Sequence, residues 1–128
     1  MERLKTIKFT ATLWVCEWYD HENDTWWKSA SEIVAKVWQK MAEKVFQNDG
    51  IYVSAWVTDS TMVYSTNRWC PEWWEKVVEI SGTRNPKFCT DVEKWKQAVI
   101  DVLMLSKDEL KQTTAQVEFS EVEMAYLN

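Results

Sequence analysis

Few residues in this sequence could do chemistry on their own. There is one histidine, His21, and there are three cysteines, Cys16, Cys70 and Cys89. Cys16 and His21 form a formal thiolate–imidazole pair, in which the imidazole would activate the sulfur as a nucleophile. No third member or motif completes that pair. The same four side chains could in principle ligate zinc, but no two cysteines have the close Cys-x-x-Cys spacing that marks such a site. Isolated thiols packed as small hydrophobes are the simpler reading. Asp20, Glu22 and Asp24 alternate as at the start of a calcium loop, but the glycine and the closing bidentate glutamate are missing, which leaves a solvated acidic loop. With only 2 glycines, Gly50 and Gly82, standing apart, no phosphate-cradling loop, dinucleotide fingerprint or nucleophile elbow can be written. No catalytic residue, metal or cofactor is expected.

What the chain has in abundance is tryptophan, 10 residues in 128. Their placement depends on the elements that carry them. From Leu4 to Tyr19 the sequence alternates as a strand, with Ile7, Phe9, Ala11, Leu13 and Val15 on one face. Thr6, Lys8, Thr10, Thr12, Trp14, Cys16 and Trp18 fall on the other. Residues 20–25 read as a polar loop. Ser29 or Ser31 caps a helix whose stripe is Ile33, Val34, Val37, Trp38, Met41, Ala42, Val45 and Phe46, closed by Asn48-Asp49-Gly50. Ile51–Thr58 alternates again, with Tyr52, Ser54 and Trp56 on one side. Asp59-Ser60 then reads as a tight turn into a strand over 61–66.

Pro71 is placed to start a short helix carrying Trp73, Trp74, Val77, Val78 and Ile80, ended by Ser81-Gly82. Thr90 with Glu93 reads as a capping box before a helix with Val92, Trp95, Val99, Val102 and Leu103, and Ser106 with Glu109 repeats that signature. Gln116–Leu127 alternates in two registers, which predicts a strand with a bulge near Ser120-Glu121. The element order is β-α-β-β-α-β. It predicts a single α+β domain over residues 1–128, a ferredoxin-like sandwich whose four-stranded antiparallel sheet carries its helices on one face. The first strand should be central.

In that fold Trp14, Trp18, Tyr52 and Trp56 would stand on the uncovered side of the sheet. A contiguous aromatic patch there reads in three ways: a second small core under the C-terminal segments, a protein-binding or self-association face, or a platform for a planar ligand. Trp26-Trp27, after the polar loop, either joins the core or leaves one ring as an anchor. Glu118, Glu121 and Glu123 make the last strand acidic, with Lys5 and Lys8 as cross-strand partners.

The net charge of −5 disfavours a nucleic-acid backbone as partner. The odd cysteine count, the broken N-terminal hydrophobicity and the lack of any apolar span predict a cytoplasmic protein without membrane contact. The composite expectation is a small non-enzymatic binding protein of inhibitor, immunity or adaptor type. It would engage a protein partner through Trp14, Trp18, Trp26, Tyr52 and Trp56, rimmed by Glu118, Glu121 and Glu123. The alternative is a small-molecule or nucleotide-binding domain using the same aromatic face, including across a homodimer interface.

Overall fold

The computed structural model describes residues 1–14, 29–72 and 74–127. In chain order the elements are β1 (Glu2–Trp14), α1 (Ala30–Asp49), β2 (Trp56–Met62), a 3-10 turn (Thr66–Arg68), β3 (Glu75–Thr83), α2 (Val92–Glu109) and β4 (Ala115–Tyr126). All strand pairs are antiparallel and the sheet order is β2-β3-β1-β4. This is the ferredoxin-like α+β arrangement, with β1 central as its alternation requires.

The inward face of β1 presents Phe9, Ala11 and Leu13, all fully buried. They meet the stripes of both helices, Val34, Val37, Trp38 and Met41 from α1 and Trp95, Val99 and Val102 from α2. Phe9 lies at the centre, its ring 5.8 Å from that of Trp38 and 5.9 Å from that of Trp95. Such large aromatic burial is the main favourable term holding the helices to the sheet. Ser29 caps α1 by accepting from Glu32 N–H, and Gly50 closes it in the left-handed region with φ 70°. Gly82 is required by space: a Cβ there would collide with the Ser54 carbonyl oxygen and lie 2.8 Å from the Phe9 ring.

Several local expectations are corrected. Asp59-Ser60 is no turn, because β2 runs straight through it. The Asp59 carboxylate is instead an acceptor for α1, taking the Ser31 N–H and Ser31 hydroxyl at 2.9 Å each. The partner of β2 is therefore not residues 61–66 but β3, and the helix expected from Pro71 to Ser81 is largely that strand. Val77, Val78 and Ile80 satisfy a helical stripe, yet a strand hydrogen-bonded on both sides, with Val78 and Ile80 on its core face and Val77 buried on the other, gives the same pattern. The bulge in β4 is absent: the ladder runs unbroken from Leu13↔Ala115 to Glu2↔Tyr126. The change of apolar register reflects a change of face along the ribbon. Val117 and Phe119 pack on the core, whereas Met124 and Tyr126 line a small pocket with Phe88 and Cys89.

α2 is capped by Asp91, which accepts the Lys94 N–H, and Ser106 lies inside the helix rather than starting a new one. No described helix is long and apolar enough to cross a membrane.

Candidate functional site

The outward face of the sheet is built in rows. The register places Trp56, Ser81, Thr10 and Glu118 side by side, then Thr58, Glu79, Thr12 and Gln116, then Ser60, Val77 and Trp14, and finally Met62 and Glu75. Trp14 and Glu75 thus meet diagonally on neighbouring strands, on one face and at one end of the sheet. The Trp14 indole donates to Glu75 Oε2 at 2.9 Å. Tyr64, just beyond the end of β2, donates its hydroxyl to Glu75 Oε1, also at 2.9 Å. Both oxygens of a half-buried carboxylate are therefore held by neutral donors, from the strand next door and from the loop joining β2 to β3.

That constraint orients the carboxylate through neutral groups. No ion pair to Glu75 occurs among the described residues. A carboxylate fixed by two neutral donors, with no described cation against it, can receive the positive end of a ligand. The hydrogen bond to Glu75 is also the first cause holding the Tyr64 phenol above its ordinary pKa of 10.0, with desolvation and the charges of Glu75 and Cys70 adding in the same direction. Tyr64 consequently remains a donor throughout the neutral range.

A groove of about 430 Å³ opens at the same end of the sheet, between the start of α1 and the β2–β3 pair, lined by Ser29, Ala30, Asp59, Ser60, Thr61, Lys76 and Val77; Trp14, Tyr64 and Glu75 do not line it. A larger groove of about 560 Å³ runs between α1 and residues 52–57, but its wall is mostly apolar and brings together no cluster of charged groups. Among the described residues no three His, Cys, Asp or Glu side chains assemble as a metal site.

The site residues expected from sequence separate in space. Trp14 joins Glu75. Trp56 shares the outward face but stands at the edge strand, 78% exposed. Tyr52 leaves that face altogether and stacks on Phe46 of α1, with centroids 4.2 Å apart. Glu118 lies opposite Thr10, while Glu121 and Glu123 lie farther along β4, Glu123 within 3.7 Å of Arg3. Trp18, Trp26, Cys16 and His21 fall outside the described residues. Glu75 and Tyr64 were missed. The signal that would have found them is a glutamate on the same strand face as a tryptophan, visible only once β3 is read as a strand.

A family model for SAM lyase matches residues 4–128. The chain belongs to the SAM lyase family. That membership overturns the expectation of a non-enzymatic inhibitor or adaptor, since the family is one of enzymes. Two solved structures of phage SAM lyase resemble this family member in fold. One, in complex with S-methyl-5'-thioadenosine, has a TM-score of 0.56 and 14% identity over 94% of this chain and 90% of that one. The other, in the apo state, has a TM-score of 0.61 and 18% identity over 94% of this chain and 86% of that one. No curated protein matches the sequence.

Proposed function

We propose that this chain cleaves S-adenosylmethionine at the Glu75 site. The observation that carries this reading is the Glu75 carboxylate, held by Trp14 and Tyr64 with no described cation against it. The substrate supplies the missing positive charge twice, as a sulfonium and as an α-ammonium, and it has no phosphate. An acidic, glycine-poor chain suits such a nucleoside, although the same composition argues against a nucleotide.

The S-methyl-5'-thioadenosine bound to one phage relative carries both the methyl and the adenosyl group on sulfur, as a product of the substrate would. For this substrate the bond that breaks is then the third one, from sulfur to Cγ, and its electron pair neutralises the sulfonium. A lyase adds no water, so Cγ must gain a bond from within the substrate. The substrate's own carboxylate reaches Cγ by closing a five-membered ring, which yields a lactone and S-methyl-5'-thioadenosine with all atoms and charges accounted for. Such a step asks for no protein nucleophile.

Charge considerations locate Glu75 in that step. The sulfonium and the attacking carboxylate lose charge together, so a fixed anion against the sulfonium would stabilise the ground state more than the transition state. The α-ammonium keeps its charge throughout. Glu75 on the ammonium binds the substrate equally in both states and leaves the substrate carboxylate free to turn onto Cγ. Trp14 and Tyr64 position Glu75, and their rings displace water from reacting charges that react faster when desolvated. The free thiols of Cys70 and Cys89 support a reducing, intracellular setting for this chemistry.

The test is direct. Purified protein is incubated with S-adenosylmethionine, and the products are separated by chromatography with mass detection. With substrate held well below the wild-type KM, wild type should release S-methyl-5'-thioadenosine, while Glu75→Ala, verified as folded by circular dichroism, should release it at least about a hundredfold more slowly. Intact substrate after incubation with wild type, or full turnover by the variant, overturns the reading.

A further inference from the structure

At the opposite end of β3 from Glu75, about 30 Å away along the strand, lies a second charged group with no counter-ion among the described residues. Arg84 is only 7% exposed. Its backbone is built into the sheet end, with its N–H donating to the Ile7 carbonyl at 2.9 Å and its carbonyl accepting from the Thr6 hydroxyl at 2.7 Å. The guanidinium donates once, from Nη1 to the Cys89 carbonyl at 2.6 Å, and its Nε is buried with no partner. No described carboxylate lies within ion-pair distance of it. A charge so far removed from water is costly unless something pairs with it.

Arg84 lines a groove of about 530 Å³ with Lys5, Thr6, Ile7, Val92, Glu121, Val122 and Glu123. Glu123 is taken by Arg3 at 3.7 Å. Lys5 and Glu121, like Arg84, have no ion-pair partner among the described residues. Unpaired cations and an unpaired carboxylate therefore share one cleft without reaching each other. We infer that this groove is a binding site for a small α-amino-acid zwitterion, its carboxylate on Arg84 and Lys5 and its ammonium on Glu121. Planar, two-point recognition of a carboxylate is what a guanidinium does best. A ligand with only an anion would leave Glu121 unanswered, and one with only a cation would leave Arg84 so.

Isothermal titration calorimetry with L-homoserine as probe tests this on the full chain. Wild type should give a saturable one-to-one isotherm, with propionate and propylamine each binding at least about tenfold more weakly, as expected when one charge-assisted contact is lost. Glu121→Gln and Lys5→Met, both surface changes, should each weaken homoserine by about tenfold, a typical loss for such a contact. Arg84→Met should abolish binding if it folds. Glu75→Gln should leave binding unchanged, which separates this groove from the proposed catalytic site. No heat with homoserine, equal binding of propionate, indifference to both surface substitutions, or loss of binding in Glu75→Gln would each overturn the inference.

Discussion

The two ends of β3 carry charge in opposite ways. At Glu75 the carboxylate is half-buried and both oxygens are satisfied by side chains that are themselves neutral, so the group is oriented while its charge remains available. At Gly82 and Arg84 the backbone is packed so tightly that a single added carbon has no room, and the guanidinium is fixed mainly through main-chain contacts. One end is held by side-chain hydrogen bonds. The other is part of the fold. Activity and stability should therefore respond to different residues within one nine-residue strand.

The sharpest break of this contrast is Glu75→Gln. It should lower kcat/KM about a hundredfold, chiefly by raising KM, as expected for losing a charged contact present in ground and transition states alike. Its urea midpoint should stay near wild type. At the other end, Gly82→Ala should cost about 1–3 kcal/mol in urea unfolding, because Ser54 and Phe9 must move to admit the methyl. The enzyme that remains folded should show a nearly normal KM. Tyr64→Phe should reduce kcat/KM about tenfold by freeing one Glu75 oxygen.

A subtler effect sharpens the electrostatic half of the comparison. The Tyr64 pKa is raised first by its bond to Glu75, so its titration, followed by NMR of labelled tyrosine, should lie above 10.0 and move down in Glu75→Gln. The sign follows from the protonated phenol being the form that the folded state favours. Any stability this bond contributes is complete below the unfolded-state pKa and fades as pH rises through the folded one. Least affected should be Trp14→Phe, which keeps the ring but loses the indole donor and should cost kcat/KM only about threefold to tenfold.

Much of the fold was legible because its elements advertise their periods. β1 alternates without interruption, and α1 has both a clean stripe and recognisable caps at Ser29 and Gly50. β3 was not legible, since Val77, Val78 and Ile80 lie between two strands and all three are buried, which removes the alternation that identifies a half-exposed strand. Losing β3 meant losing the site. Trp14 drew attention as a ring, whereas its hydrogen-bond donor is what matters, and its acceptor lies 61 residues further along the chain. The absence of catalytic motifs misled for a related reason: an intramolecular ring closure requires an oriented substrate rather than an activated protein side chain.

The ladder between β1 and β3 has one more consequence. Because alternate residues point to opposite faces, sliding β1 by a single position would carry Trp14 to the helix side, away from Glu75. Correct pairing thus acts as a proofreader for the site. A misregistered molecule should be inert rather than sluggish, so a turnover assay would count only the correctly assembled fraction of any refolded sample.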